Sequence, residues 1–287
     1  KGIVLSLFDL TGKWAMPWAI AGYDVRIIDL ERDGVNVMDM DADWFIDNGM
    51  EDVYIVLAAC PCTDFSSAGA RWMKGKDAKP GGRSESVNLV NHTLDIIQWL
   101  TPRFWTLENP VGQVGRMTIL PSAVKKSGPN KGQPKPAEPR LAFHPHNYGD
   151  PYTKQTLLWG NFNPELPLAN VEPTGGSYTH NLRGDVPAQK RARSDTFDGF
   201  AYSFFMANND QTKAPEYVRF MEGMVESFPD ATEDEKNLIR LAYEVGVHDG
   251  LTDEESAQLS GMAESAYTQG YKDWDDNWLI NSDNKKL

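Results

Sequence analysis

"GIVLSLFDLTGKWAMPWAIAGYDVRIID" (residues 2–29) contains the pattern that decides the fold class of this chain. Residues 2–8 form a short apolar run that ends in a turn-rich "DLTG", which predicts a buried parallel strand. Residues 13–22 place apolar side chains at helical spacing and end at a glycine, and residues 23–29 predict a second strand that ends in an acid. Strand, loop, helix and acid-ended strand form the opening unit of a doubly wound nucleotide-binding sheet.

The alternation of strands and helices continues along the chain. Apolar runs at 53–61 and 104–110 predict two further buried strands, and residues 86–100 predict an amphipathic helix between them. "QTLLWGNF" (155–162) predicts another strand. We therefore predict an α/β protein with a Rossmann-like, doubly wound and mostly parallel sheet.

Changes of composition divide the chain into four parts. The predicted sheet occupies 1–162, and a Pro-, Gly- and Arg-rich stretch without periodicity follows at 163–195. Residues 196–210 are assigned back to the first part. Residues 211–287 contain two capping boxes that each open a helical run, Thr232 with Glu235 and Thr252 with Glu255. We expect this last part to be a short helical appendage.

The formal net charge is -13, and it is unevenly distributed. Residues 211–287 hold 17 acidic and 7 basic side chains, whereas residues 116–193 hold 11 basic and 5 acidic side chains. The basic middle is either a surface that meets nucleic acid or a solvated loop region, and charge alone favours neither interpretation.

Hydropathy and cysteine content indicate the class of protein. No stretch approaches the roughly 20 apolar residues of a membrane helix, and the first twelve residues lack the features of a signal peptide. We expect a soluble protein that is not secreted and has no membrane partner. Cys60 and Cys62 are too close for a relaxed disulfide, which indicates a reducing compartment such as the cytoplasm.

Polar residues follow the predicted strands where each strand ends. Ligands of doubly wound sheets bind at the carboxyl ends of the strands, and the residues that fall there are Asp29, Cys62, Glu108, Asn109 and the "DLTGK" turn at 9–13. An acid at position 29 suits the hydroxyls of a ribose. Gly12 allows a ligand to approach its loop closely. We predict a nucleoside-cofactor site at this edge of the sheet.

Cys62 is a candidate nucleophile, because the proline before it stiffens the turn that aims its thiol. The alternative for a lone cysteine is a small buried hydrophobe, and we predict this for Cys60. We predict no metal site, since the chain lacks four cysteine and histidine ligands at a suitable spacing. His144 and His146 are the only nearby residues that could be recruited as further metal ligands.

Four segments carry a family resemblance, in this order along the chain: "LFDLTGKWAMPWAIAGYDV" (7–25), "PCTDFS" (61–66), "LENP" (107–110) and "NYGDPYTKQTLLWGNF" (147–162). They resemble, respectively, the S-adenosylmethionine loop with its helix, the Pro-Cys-x-x-Phe-Ser loop, the Glu-Asn-Val strand end and the Tyr-Gly-x-Pro-Gln-x-Arg-x-Arg segment of the DNA cytosine-5 methyltransferases. Together they cover most of residues 3–162. Their variant spellings look most like the small enzymes carried by phages.

The resemblance implies transfer of a methyl group to carbon 5 of cytosine in DNA, through a covalent bond between Cys62 and carbon 6. Glu108 is then expected to hydrogen-bond N3 and the exocyclic amine, and Asn109 and Lys154 complete the catalytic set. Lys154 stands where the family has an arginine, so its contact is less directional. The target base must leave the stack of the duplex, and the basic loop 66–83 is expected to be flexible and to close over that base.

The same resemblance implies S-adenosylmethionine as the cofactor. Phe8 is expected to pack on its adenine, Asp29 to hold its ribose and Asp39 to meet the adenine amine. Residues 36–43 hold three acids, Asp39, Asp41 and Asp43, and a helix cap is an equally good interpretation of any of them. The other residues expected at the cofactor are Leu10, Thr11, Gly12, Lys13 and Pro61.

Three features depart from the family pattern. Leu10 replaces the first glycine of the cofactor loop, Lys13 follows Gly12, and "TFDGFAYSFFMANN" (196–209) stands in place of a late Gln-x-Gly-Asn segment. Lys13 either points to solvent or pairs with the methionine carboxylate of the cofactor. Alternatively, Lys13 accepts carboxy-S-adenosylmethionine, which makes the product 5-carboxymethylcytosine.

The resemblance also gives the parts of the chain their expected roles. Residues 1–162 become a catalytic cofactor-binding domain, to which 196–210 return, and 163–195 become a basic target-recognition segment too short to read a long sequence. The residues expected to contact DNA are Ser66, Arg71, Arg183, Lys190, Arg191 and Arg193. A solvated basic loop is the alternative for the last four. Such a protein is expected in the cytoplasm of a bacterial or phage-infected cell.

Two further functions stay open on the sequence alone. The first is a catalytically silent binding protein that keeps the cofactor fold, with the acidic end as a surface for a partner or as a DNA mimic. The second is action on RNA or on free cytidine nucleotides, which suit a short recognition segment and a net negative charge.

Overall fold

The computed structural model of the chain describes residues 2–67, 70–120, 125, 127–129, 131–133, 135–178, 182, 189, 192, 195–209, 232 and 236. The predicted helical appendage at 211–287 lies outside the described residues, apart from Thr232 and Lys236. Most of the second half of the predicted recognition segment lies outside them too. The division of the C-terminal part into domains therefore stays a prediction.

The first half of the chain alternates strands and helices in the predicted order. The elements are β1 (Ile3–Leu7), α1 (Met16–Ile20), β2 (Asp24–Ile28), a 3-10 helix (Val37–Asp39), α2 (Ala42–Asp47), β3 (Val53–Ala58), α3 (Ala70–Asp77), α4 (Ser84–Leu100) and β4 (Phe104–Pro110). Each predicted strand from 2–8 to 104–110 is present. The observed strands β1, β2 and β3 are shorter than predicted by two or three residues, and β4 has the predicted bounds.

The second half holds shorter elements. They are α5 (Val114–Met117), β5 (Leu141–Phe143), a 3-10 helix (Pro145–Tyr148), β6 (Tyr152–Thr153), β7 (Thr156–Gly160), β8 (Gly176–Ser177) and α6 (Asp198–Asn208). The strand predicted at 155–162 is β7. Sequence periodicity did not indicate β5, β6 or β8, because two or three residues are too few to show an alternating pattern.

Six of the described strands form one sheet in the order β2-β1-β3-β4-β7-β5. The pairs β1 with β2, β1 with β3, and β3 with β4 are parallel, whereas β7 pairs antiparallel with β4 and β5. The fold is therefore an α/β fold with a mostly parallel sheet, as predicted. The carboxyl ends of β1 to β4 lie at one edge. The predicted residues Phe8, Asp29 and Cys62 follow β1, β2 and β3 there, at most four residues after each strand ends.

Apolar side chains cover both faces of the sheet. On one face, α1 and α6 contribute to an aromatic cluster with β4 that contains Trp14, Trp18, Phe104, Phe200 and Phe204. On the other face, α4 buries Val90, Leu94, Ile96, Ile97 and Leu100. Alternate residues of β3 serve the two clusters. A sheet packed on both sides gives β3 and β4 little freedom. Glu108 and Asn109 lie on β4, and Cys62 follows β3 by four residues.

The predicted flexible loop at 66–83 is partly wrong, because residues 70–77 form the helix α3. Lys74 and Lys76 stand in its last turn, where positive charge favours the carboxyl end of a helix. Lys76 also binds Asp64, and Asp77 binds Arg83, so the carboxyl end of α3 is tied to residues on both sides of it in the chain. Within the described ranges, no helix is long and apolar enough to cross a membrane.

Candidate active site at the carboxyl edge of the sheet

The loop after β1 is wrapped around a buried carboxyl group. Oδ2 of Asp9 accepts hydrogen bonds from Ser6 Oγ at 2.9 Å and from the Ala15 amide at 3.1 Å. Burial raises the pKa of Asp9 above its ordinary value, although these hydrogen bonds oppose the rise. Sequence reasoning gave Asp9 no role of its own. The strand-end rule that selected Asp29 would have selected it, since Asp9 follows β1 closely.

Backbone strain marks the same loop. Phe8 has a φ of 62° and Gly12 a φ of 76°, so both adopt the left-handed conformation. A Cβ added to Gly12 would lie 3.0 Å from Cδ1 of Ile27, so the loop packs tightly against β2. A bulky residue such as phenylalanine pays for this conformation in strain, and such strain is concentrated at ligand sites. The loop geometry therefore suits the cofactor role predicted for Phe8 and Gly12.

The loops after β1 and β2 touch each other. Nη1 of Arg32 donates a hydrogen bond to the carbonyl of Leu10 at 3.3 Å, beside the exposed Thr11. Asp29 begins the second loop, and its Oδ1 accepts a hydrogen bond from the Glu31 amide at 2.9 Å. The Asp29 carboxylate is thus oriented by its own backbone turn at the sheet edge where the ribose contact was predicted.

Asp41 caps α2, not Asp39. Oδ1 of Asp41 accepts a hydrogen bond from the Trp44 amide at 2.9 Å, and Asn36 caps the preceding 3-10 helix. Asp39 is exposed at the end of that 3-10 helix. The helix-cap interpretation therefore holds for Asp41 and not for Asp39, while the contact of Asp39 with an adenine amine stays a prediction.

Lys13 is paired inside the protein. Its Nζ lies 3.0 Å from Oδ2 of Asp198, the first residue of α6. Burial lowers the pKa of Lys13, but Asp198, Asp195 and Asp150 outweigh that effect and the net shift is upward. Sequence reasoning proposed solvent or a cofactor carboxylate as the partner and missed these carboxylates. Because the ammonium already has anionic partners, the carboxy-S-adenosylmethionine hypothesis gains no support from Lys13.

The two cysteines after β3 have opposite environments. Cys60 is 2% exposed, its Sγ lies 4.0 Å from Oγ1 of Thr93, and burial raises the pKa of its thiol to about 12. The prediction that Cys60 is a buried hydrophobe is confirmed. Cys62 is partly exposed next to the exposed Pro61, and its carbonyl accepts hydrogen bonds from two amides of the turn that follows. Cys62 is therefore the thiol that a ligand can reach.

Glu108 carries the carboxyl group nearest to this turn on β4. Burial raises the pKa of Glu108, and the ammonium of Lys154 only partly offsets that rise. Nζ of Lys154 lies 5.6 Å from the centre of the Phe197 ring. The raised pKa favours a protonated carboxyl group, which donates one hydrogen bond and accepts another.

Asn109 connects β4 to the cysteine turn. Its Nδ2 donates a hydrogen bond to the carbonyl of Cys60 at 2.9 Å, and its side chain is fully buried. Oδ1 of Asn109 has no hydrogen-bond partner among the described residues. The structure thus gives Asn109 a positioning contact within the predicted catalytic set, rather than an exposed place in the site.

Backbone contacts hold the turn after Cys62 against the segment after β4. Ser66 forms a bridge with Gly112, the Ser67 amide donates to Val111 at 2.8 Å, and the Gln113 amide donates to the Phe65 carbonyl at 2.9 Å. A Cβ at Gly112 would lie 1.9 Å from that carbonyl oxygen, so only glycine fits there. The nucleophile candidate and Glu108 are therefore held by one connected backbone unit.

The predicted DNA contacts are mostly not placed. Arg183, Lys190, Arg191 and Arg193 lie outside the described residues, and so does the side chain of Arg71. Ser66 is partly buried in its bridge to Gly112. In the part of the chain that the structure describes, no three His, Cys, Asp or Glu side chains are arranged to hold a metal ion.

Comparisons with known proteins include a partial relative and a distant structural neighbour. No family model matches the chain. The Type II methyltransferase M.XorII of Xanthomonas oryzae pv. oryzae is 29% identical over 141 residues, which are 48% of this chain and 31% of that protein. The matched stretch thus spans about a third of the relative's length. A prophage-encoded E. coli protein, assigned as a DNA modification methyltransferase, aligns with a TM-score of 0.40 and 14% identity over 65% of this chain and 56% of its own.

Proposed function

We propose that the chain is a DNA methyltransferase that modifies carbon 5 of cytosine through a covalent bond between Cys62 and carbon 6. The observation that carries this proposal is the accessible thiol of Cys62, in a turn that Asn109 ties to β4 beside Glu108. The partial similarity to a Type II methyltransferase supports methyl transfer. The target atom and the covalent step rest on the resemblance and on the arrangement of these residues.

Cys62 and Glu108 act as a pair in the proposed chemistry. The thiolate of Cys62 adds to carbon 6, which makes carbon 5 of the ring electron-rich. A protonated Glu108 donates a hydrogen bond to N3 and accepts one from the exocyclic amine, so it stabilises the negative charge that develops on the ring. Carbon 5 takes the methyl group as the carbon–sulfur bond of the sulfonium breaks and leaves a neutral thioether. Carbon 5 then gives its proton to water, the double bond re-forms, and the Cys62 thiolate leaves. The raised pKa of Glu108 supports this role.

The residues after β1 and β2 fit a nucleoside cofactor. The left-handed Phe8 and Gly12 shape the first loop, and Asp29 holds its carboxylate at the end of β2. S-adenosylmethionine supplies an electrophilic methyl group on a sulfonium when it is bound. In the proposal Phe8 packs on its adenine, Asp29 binds its ribose hydroxyls and Asp39 meets the adenine amine.

DNA is the proposed substrate class. A target base in a duplex leaves the stack to reach Cys62, at a cost of a few kcal/mol that contacts in the pocket offset. The segment 183–193 is the proposed backbone-phosphate contact, and its four basic side chains give the binding a steep dependence on salt.

The test is covalent trapping on DNA that contains 5-fluorocytosine. Fluorine replaces the proton at carbon 5 and cannot leave as a cation, so the elimination is blocked. A working thiol and a bound methyl donor then leave protein and DNA joined. We expect a shifted band on a denaturing gel for the wild type and for Cys60→Ala, and none for Cys62→Ala. Cys60→Ala is the matched control because Cys60 is separated from Cys62 by Pro61 alone and its thiol is buried.

Mass analysis of nucleosides from ordinary DNA identifies the product. The proposal predicts 5-methylcytosine from S-adenosylmethionine. A carboxymethyl adduct would contradict the assignment of the cofactor, and an equal yield from Cys62→Ala would contradict the covalent step. A wild type that binds S-adenosylmethionine but traps no DNA is the result expected of a catalytically silent protein.

A further inference from the structure

Arg83 is a buried cation between the cysteine turn and the segment after β4. It is 8% exposed, although it immediately precedes α4. Nη1 donates hydrogen bonds to the Asp64 carbonyl and to Oε1 of Gln113, each at 2.8 Å. Nε and Nη2 bind the two carboxylate oxygens of Asp77 at 2.7 and 2.9 Å. One guanidinium therefore joins three separate segments of the chain.

Asp64 is the contact that links Arg83 to the thiol, since Asp64 stands two residues after Cys62. Its backbone carbonyl accepts from Arg83, while its carboxylate accepts from Oγ of Ser86 and from Nζ of Lys76. Burial raises the pKa of Asp64, but these partners outweigh it and the net shift is downward. The turn that carries Cys62 is thus held through both the backbone and the side chain of one residue.

Helix capping does not explain Arg83. The residue occupies the N-cap position of α4, but its side chain makes no hydrogen bond to that helix end. The Asp77 carboxylate that balances its charge is 49% exposed. Because solvent screens this carboxylate, the ion pair contributes little to the stability of the fold. Burying a guanidinium costs free energy, and its planar fork is the feature that meets Asp77, Asp64 and Gln113 at once.

The geometry points to Arg83 as a positioning residue for Cys62. We infer that it holds the thiol turn at a fixed distance from β4, and that it couples this turn to α3 through Asp77. This inference rests on the proposed function, since the position of Cys62 relative to Glu108 matters only if both act on one base. A lysine at this position keeps the charge but cannot reach all three partners.

The test compares Arg83→Lys with Arg26→Lys, a matched control. Arg26 also makes a two-bond pair, with Asp24 at 2.7 and 2.9 Å, but the pair is exposed on β2. Trapping on 5-fluorocytosine DNA at saturating DNA is expected to be about 10- to 100-fold slower in Arg83→Lys, because a small displacement of a nucleophile has a large effect on rate. Binding of S-adenosylmethionine by calorimetry should stay within about twofold of wild type, since its contacts with Phe8, Asp29 and Asp39 are proposed for the segments after β1 and β2.

Two further measurements separate positioning from a general loss of structure. Hydrogen exchange of the Phe65 and Ser66 amides, which donate to the Cys62 carbonyl, should become faster in Arg83→Lys and stay unchanged in Arg26→Lys. Arg83→Ala should regain part of its trapping rate in low millimolar guanidinium, and ammonium should not restore it.

Specific outcomes overturn the inference. A trapping rate equal to wild type in Arg83→Lys, or unchanged exchange at Phe65 and Ser66, would show that Arg83 does not hold the turn. Loss of cofactor binding together with trapping would show a general structural role. If the wild type traps no DNA, the proposed function is wrong, and so is the catalytic role of Arg83. Faster exchange in Arg83→Lys would in that case still show that Arg83 anchors the turn.

Discussion

Solvent access and the charge of near neighbours decide the chemistry of individual residues in this site. Cys60 and Cys62 are separated by one proline, yet burial keeps the Cys60 thiol protonated and away from ligands, whereas Cys62 is partly exposed. Glu108 has one charged group that acts against its raised pKa, the ammonium of Lys154. The electrostatic role of Lys154 is therefore testable apart from any contact that it makes with DNA.

We predict that Lys154→Met shifts the alkaline limit of trapping to higher pH. The Lys154 ammonium lowers the pKa of Glu108, so its removal lets that pKa rise further. If a protonated Glu108 is the active form, the rate then persists to higher pH before deprotonation reduces it. The measurement is the single-turnover trapping rate across pH, with Lys135→Met as an exposed-lysine control.

Lys154→Met can also weaken DNA binding, but that loss of affinity does not move the alkaline limit. The position of this limit therefore reports on the ionisation of Glu108. An alkaline limit that stays in place, or that moves to lower pH, would show that Glu108 does not act in its protonated form.

Among the secondary-structure elements, the segment after β4 packs against the turn after Cys62 only because residue 112 is glycine. Gly112 forms a bridge with Ser66, and a Cβ there would lie 1.9 Å from the Phe65 carbonyl oxygen. That oxygen belongs to backbone that also receives the Gln113 amide, so it cannot move aside alone. Gly75 offers a contrast, since a Cβ added to this residue of α3 meets no atom within 4 Å.

We predict that Gly112→Ala lowers the free energy of unfolding by about 1–3 kcal/mol, because the methyl group forces the two segments apart. Trapping should slow together with it. Gly75→Ala should instead be neutral or stabilising by roughly 0.5–1 kcal/mol, since alanine favours helix. Urea unfolding of both variants checks this, and equal stability of the two would contradict the close approach at Gly112.

At the scale of the whole molecule, the fold brings one lysine and three carboxylates from distant parts of the chain into electrostatic contact. Lys13 follows β1 and Asp150 precedes β6. Asp198 is the first residue of α6, and Asp195 lies three residues before it. Burial, together with the charge of Asp198, raises the pKa of Asp150 to about 8, although Lys13 acts against the rise. Oδ2 of Asp150 is buried without a hydrogen-bond partner among the described residues.

The pKa of Asp150 makes stability depend on pH. The folded protein keeps a proton on Asp150 between the ordinary pKa of 3.8 and about 8, whereas the unfolded chain releases it. The folded state therefore binds more protons in this window, and the free energy of unfolding falls as pH rises, by up to roughly 1 kcal/mol per pH unit from this group. Asp150→Asn is neutral throughout and removes that contribution.

We predict that Asp150→Asn equals wild type in stability near pH 4 and exceeds it by at least about 1 kcal/mol near pH 8. Urea unfolding at several pH values measures the difference, and Asp47→Asn on the exposed side of α2 is the control. Parallel curves for wild type and Asp150→Asn would show that Asp150 ionises normally in the folded protein.

Local pattern was sufficient for the elements that are long and buried on both sides. The apolar runs before Phe8, Asp29 and Cys62 show in the sequence because a parallel strand covered by helices must be apolar along its length. The edge that collects Asp29, Cys62 and Glu108 follows from strand direction alone. The environment of Cys60 was predicted from its place at a strand end.

Contacts between distant segments were decided only by the tertiary structure. Nothing in the order of residues pairs Lys13 with Asp198 or brings Arg83 to Asp64 and Gln113, because these partners meet only after the sheet has closed. Helix α3 and the two- and three-residue strands were missed for the same reason, since long-range contacts stabilise them more than local propensity does. Sequence determined where reactive groups lie along the sheet edge, and packing decided which of them are charged, reachable and held in place.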